Sequence, residues 1–153
     1  MPNRKNFPNN RVMKPYLESL NSLLNNYSNY KLRVLMAGNN NFSPPNNGSN
    51  VNARLSRRNG AAELALHRKN NGIYISQGNT LPAFQRKGYG TKIRALAILA
   101  ALRVRLPVYQ WSIGGKNSGS YKIMKTLGGL NNYKNHFKFV PGHHNLNALR
   151  RRI

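Results

Sequence analysis

The 153-residue chain contains no cysteine and only two acidic residues, Glu18 and Glu63, against 25 lysines and arginines. Without cysteine there is no disulfide framework, no thiolate nucleophile and no Cys-based zinc site. The histidines, His67, His136, His143 and His144, would have to converge with almost no carboxylate beside them, so no metal site is expected. Long hydrophobic runs are missing too. The apolar stretch at 93 to 104 is broken by Arg94 and Arg103, and nothing reaches the length that crosses a membrane. The opening MPNRKNFPNNRVMK is basic but has no apolar segment behind it, which argues against a secretory signal. Its charge leaves a mitochondrial presequence open, although Pro2 and Pro8 suit an amphipathic targeting helix badly.

The scarcity of acids leaves a formal net charge of +23 that cannot be paired internally. Solubility alone asks for a net charge of only about 2–8 in magnitude. The excess points to an external polyanion. Nucleic acid comes first, because phosphate contacts release counterions and need no base-specific fit; acidic protein surface or anionic membrane follows. Asparagine takes much of the polar surface instead, in runs such as NNN at 39 to 41 and PNNGSN at 45 to 50.

The length suits one domain with a sizeable core. Residues 1–11 read as a basic N-terminal arm, 12–141 as the domain and 142–153 as a basic C-terminal tail. From Val12 to about Tyr27 a helix is expected, because Val12, Tyr16, Leu20 and Leu23/Leu24 fall at helical spacing, with Pro15 tolerable in the first turn. KLRVLMAG at 31 to 38 is a strand candidate, and 39 to 50 reads as an exposed loop. NARLSRR, AELALHR and GIYISQG, separated by Asn59-Gly60 and Asn70-Asn71-Gly72, predict an antiparallel meander. Glu63, Ala65 and His67 would share one face of its second strand, and Leu64 and Leu66 the other. TKIRALAILAALRVRL predicts a helix from about 90 to 104, ended by Pro107. VYQWSI is a buried strand candidate, NSGSYKIMKTLGG a short helix and HFKFV a final strand.

At the glycine turn QRKGYGTK, the chain resembles the GNAT family of N-acetyltransferases. The family pattern V-x-P-x-x-Q/R-x-x-G-x-G/A is matched by Thr80, Pro82, Gln85, Gly88 and Gly90, and Asn117 and Gly128 fall where the family has an Asn and a glycine around its next short helix. The resemblance covers roughly residues 60 to 140. It implies an α+β fold, a mixed and mainly antiparallel sheet flanked by helices. It also implies that acetyl-CoA pyrophosphate would sit on Gln85, Arg86, Lys87, Gly88, Tyr89, Gly90 and Thr91, with Asn117 nearby. Backbone amides at a helix start are a physically sound nest for any anion, including a nucleic-acid phosphate.

Acetyl transfer needs a deprotonated amine and a protonated leaving thiolate. The place where the family carries an acidic tyrosine is Met124 here, and a thioether donates no proton. Tyr121 lies three residues earlier on the same helix, and Glu63 is the single carboxylate near the sheet. Glu63 and Tyr121 are therefore the catalytic candidates. These departures favour a non-catalytic structural component of a large assembly, a virion or a ribosome-like particle, that binds nucleic acid or neighbouring proteins and needs no cofactor. Its contacts would be Arg4, Lys5, Arg11, Arg57, Arg58, Arg150, Arg151 and Arg152. The alternative is an acetyl-CoA-dependent N-acetyltransferase.

Overall fold

In a computed structural model, which describes residues 11–35, 51–80, 88–111, 119–133 and 136–153, the alanine-rich segment after the glycine turn forms helix α2 (Tyr89–Arg103). Every residue from Ile93 to Leu102 is buried. A helix apolar all round has neighbours on every side, and its alanines allow them close. Helix α1 (Met13–Leu23) lies along it, pinned by two buried side-chain bonds. Tyr16 Oη donates to the Ala97 carbonyl at 3.1 Å and Ser19 Oγ to the Ala100 carbonyl at 2.7 Å. Burial pushes the Tyr16 phenol far above its ordinary range, so it acts as a neutral donor.

The strands are β1 (Tyr30–Val34), β2 (Ala53–Arg57), β3 (Ala62–Lys69), β4 (Gly72–Thr80), β5 (Val108–Trp111), β6 (Leu130–Tyr133) and β7 (His136–Phe139). They form one seven-stranded sheet in the order β1-β2-β3-β4-β5-β7-β6. All neighbours run antiparallel except β4 and β5, which are parallel. The fold is thus α+β, with a largely antiparallel sheet flanked by helices. Leu55, Leu64, Leu66, Ile73, Ile75, Val108, Phe137 and Phe139 share one core with α1 and α2. The other face of β3 carries Ala65 and His67, also fully buried.

Several boundaries differ from expectation. The first helix stops at Leu23, because Asn25 and Asn26 follow in a turn and asparagine competes with the helix for backbone bonds. Strand β6, LNNY, went unforeseen because its asparagines have poor strand propensity; it forms by pairing with β7. The expected loop at 39 to 50 lies outside the described residues. The segment expected as a basic tail folds instead. Asn145 caps α4 (Leu146–Arg150) by accepting from the Asn147 and Ala148 amides, and Leu149 is buried against the core.

The β4–β5 pair starts at a close approach. The Ile73 amide donates to the Pro107 carbonyl at 2.9 Å, and a Cβ on Gly72 would lie 2.4 Å from that same oxygen. Gly72→Ala should therefore lower stability by about 2 kcal/mol, the usual scale of forced overpacking, in urea unfolding of the intact chain. An unfolding midpoint equal to the parent's would show that β5 is not held this tightly.

Candidate active site

The parallel pair is short. Ile73 pairs with Val108, Tyr74 with Tyr109 and Ile75 with Gln110, and among the described residues no pairing continues beyond. Strand β4 runs on to Thr80 in register with β3, so from Ser76 onward its β5 side has no strand against it among the described residues. A bulge sits at this point. Ser76 faces Ala65 and Asn79 faces Glu63, which leaves Gln77 and Gly78 opposite the single Leu64. Bulges bend a strand away from its neighbour and recur beside active sites. Among the described residues, this leaves an open slot between β4 and β5 beyond Ile75–Gln110.

The first turns of α2 lie beside the end of this pairing, where Arg94 reaches Gln110. Gly88 takes φ +82°, the left-handed conformation, and the first intrahelical bond runs from the Lys92 amide to the Gly88 carbonyl at 3.0 Å. The amides ahead of Lys92 have no acceptor within the helix. Among the described residues no side chain caps this end. Arg57 holds the helix start onto the sheet: its guanidinium lies 4.6 Å from the centre of the Tyr89 ring and 5.4 Å from that of Tyr30, and Nη1 donates to the Tyr30 hydroxyl at 3.4 Å. Such cation–aromatic contacts contribute about 0.5–2 kcal/mol each.

One turn further into α2, Arg94 is buried, only 4% exposed. Its Nη1 donates to the Gly90 carbonyl at 3.2 Å and its Nε to Gln110 Oε1 at 3.3 Å. Gln110 Nε2 in turn donates to Ser120 Oγ at 3.2 Å, in the first turn of α3 (Gly119–Thr126). A guanidinium only donates, so the Gln110 oxygen must face it and the amide nitrogen must face Ser120. The chain Arg94, Gln110, Ser120 therefore has one direction, and it ties α2, the last β4-paired residue of β5 and α3 together. No carboxylate pairs with Arg94 among the described residues, and burial lowers its pKa to about 10. A buried cation without a counter-charge is costly and is a natural complement to an incoming anion.

On the other face, His67 Nε2 and Ser76 Oγ are 2.6 Å apart. His67 is fully buried and Ser76 half-buried, and the Tyr74 ring meets the imidazole edge-on at 5.9 Å. Ser76 is the first β4 residue past the last β5 pairing.

The residues singled out from sequence are dispersed. Gly88, Tyr89, Gly90 and Thr91 stand at the helix start; Gln85, Arg86, Lys87, Asn117, Arg4 and Lys5 lie outside the described residues. Glu63 Oε1 accepts from Arg54 Nη1 at 2.7 Å in an ion pair. The Tyr121 hydroxyl accepts from Asn131 Nδ2 at 3.0 Å while its ring packs on Phe137 at 5.0 Å, so it is built into the core. Met124 is fully buried. A Cβ on Gly129 would lie 3.0 Å from both the Phe137 and Phe139 rings. Of the expected assembly contacts, Arg57 belongs to the packing just described. Arg58 is exposed, with Nε donating to the Ser28 carbonyl at 2.9 Å; Arg11 and Arg150 to Arg152 are exposed as well. Sequence reasoning missed Arg94, Gln110, Ser76 and the His67 pairing. The one available signal was Arg94 standing within the otherwise apolar run from Ile93 to Leu102, where no polar face exists to receive it.

Neither a protein-family model nor a curated protein sequence matches the chain. Comparison with solved structures finds "Crystal structure of the Bacillus subtilis N-acetyltransferase YlbP protein in complex with Coenzyme-A", at 16% identity and a TM-score of 0.41, covering 92% of this chain and 89% of that one. That neighbour is an N-acetyltransferase in complex with coenzyme A. The expectations of a non-catalytic assembly component that binds nucleic acid, of no cofactor and of no enzymatic activity are corrected accordingly. At this distance the likeness transfers no residue role, so any function has to rest on this chain's own geometry.

Gly88 gives a direct check of the helix start. A Cβ there meets nothing closer than Lys92 Cε at 3.9 Å, so the obstacle to substitution is φ alone. Gly88→Ala should cost about 1 kcal/mol of stability, and Gly88→Asn less, because asparagine tolerates the left-handed region. Equal thermal melts for the two variants would contradict the conformation.

Proposed function

We propose that the chain is an acetyl-CoA-dependent N-acetyltransferase with a GNAT-like fold. The observation that carries this reading is the opening of the parallel β4–β5 pair at Ile75–Gln110, beside a helix start with Gly88 in the left-handed region and a buried Arg94 that no carboxylate pairs with among the described residues. These features fit acetyl-CoA. The amides at the start of α2, with Lys92, would hold the pyrophosphate. The β5-facing edge of β4 from Ser76 to Thr80 offers main-chain groups to an extended, amide-bearing arm. Acetyl-CoA supplies the acetyl group as a thioester.

This chain's residues then divide the work by face. On the α2 side, the Arg94 charge and the directed donors of Gln110 and Ser120 favour negative charge at the sulfur, where Met124 offers no proton. The β3–β4 outer face, with Ser76 and His67, is left for the acceptor amine. The charge of +23 selects among acceptors, because a strongly positive field concentrates anionic molecules and repels cationic ones. The acceptor is therefore an amine carried on an anionic molecule.

Calorimetric titration of the intact chain with acetyl-CoA, run beside turnover on acidic and basic peptide amines, tests the proposal. Saturable binding is expected, with faster turnover of the acidic acceptor and a preference that shrinks as salt rises. Arg94→Met should lower turnover at least about tenfold, since an interaction with a charged group contributes roughly 1.5–3 kcal/mol and the sulfur is charged only as the thiolate leaves, with acetyl-CoA binding little changed and folding stability equal or higher because a buried charge is removed. No heat of binding together with no turnover of either acceptor would refute it.

A further inference from the structure

We infer that Ser76 and His67 form a proton relay on the acceptor side of the slot, with Ser76 Oγ touching the attacking amine and His67 Nε2 taking the proton behind it. The inference rests on the acetyltransferase reading and names the group that reading leaves open, the acceptor of the amine proton.

The placement is specific. Ser76 is the first β4 residue beyond the last β5 pairing and immediately precedes the bulge at Gln77 and Gly78. Strand alternation turns its side chain away from α2, because Ile75 next to it belongs to the core on the α2 side. On the acetyltransferase reading, an arm laid along the β5 side of β4 past Ile75 meets Ser76 next. His67 stands across from it on β3, 2.6 Å from Ser76 Oγ, fully buried where Ser76 is half-buried. A hydroxyl at the surface of a site with an imidazole behind it has the order that a relay needs. The other nearby base is committed, since Glu63 is ion-paired with Arg54 at 2.7 Å. The Tyr121 hydroxyl is engaged with Asn131 on α2's side of the sheet.

The step balances without a further reactant. The amine nitrogen forms a bond to the acetyl carbon and gives its proton to Ser76 Oγ, while the Ser76 proton moves to His67 Nε2. The carbon–sulfur bond breaks with its electron pair on sulfur. The imidazolium then returns its proton, through Ser76 and water, to the thiolate. The products are the acetylated amine and the free thiol, and the pair ends in its starting state.

The relay demands one tautomer. Nε2 must carry no proton and Nδ1 must carry it, so that Ser76 donates to His67. Nitrogen-resolved NMR of the His67 ring in the intact chain, near neutral pH and without ligand, should find that tautomer. A proton on Nε2 overturns the relay regardless of what acetyl-CoA does. His67→Gln keeps a hydrogen-bonding partner for Ser76 but cannot take a proton. It should lower turnover by about 100-fold or more with acetyl-CoA affinity within about twofold of the parent. Ser76→Ala, at the less buried position, should do the same with folding checked by circular dichroism. Parent-like turnover in His67→Gln overturns the relay and leaves the acetyltransferase reading standing. A parent that neither binds nor turns over acetyl-CoA removes that reading, and the relay with it.

Discussion

The burial of helix α2 on all sides is the constraint on which the rest depends. Because α1, the sheet, α3 and α4 all pack against it, its start has one position relative to β4 and β5. Its alanines bring α1 near enough for Tyr16 and Ser19 to bond its carbonyls, and its one buried charge, Arg94, is aimed at the end of the β4–β5 pairing through Gln110. A helix packed on only one face could slide or tilt. This one cannot do so without opening the core.

From that constraint the two sides of the slot acquire different chemistry. The α2 side has a buried cation, directed donors and helix amides, all favouring negative charge. The opposite side has an imidazole and a hydroxyl, which can take a proton. Acid residues play little part: Glu63 is engaged with Arg54, and the chain has one other acid, Glu18. A scarcity of carboxylates that seemed to argue against catalysis is compatible with it, provided that the proton is handled by a histidine and the leaving group by an arginine.

Legibility in the sequence followed the range of the interactions. The meander β2–β3–β4 and helix α2 were plain, because Asn59-Gly60, Asn70-Asn71-Gly72 and an uninterrupted run of helix formers are local signals. The α+β class was what the resemblance at the glycine turn implied. Strand β6 and helix α4 were not plain: LNNY becomes a strand through β7, and the basic end folds because Leu149 finds a buried place beside α2. The same limit applied to the site. The glycine turn announced the helix start, but Arg94 bonds Gln110 sixteen positions away and His67 bonds Ser76 nine positions away. The first depends on how α2 docks on β5 and the second on the β3–β4 register, neither of which a single sequence prints. Arg57 was assigned outward by its charge, and only the spatial neighbours Tyr30 and Tyr89 reveal its inward role.

The central claim is that the parting of β4 from β5 is a binding slot and not merely the end of a short pairing. A crystal structure of the intact chain grown with coenzyme A tests it most directly. The account predicts the pyrophosphate at the amides of residues 88 to 91 and the pantetheine arm running between β4 and β5 past Ile75 and Gln110, with its sulfur near Ser120. Coenzyme A bound elsewhere, or strands that close against each other with the slot collapsed, would contradict it.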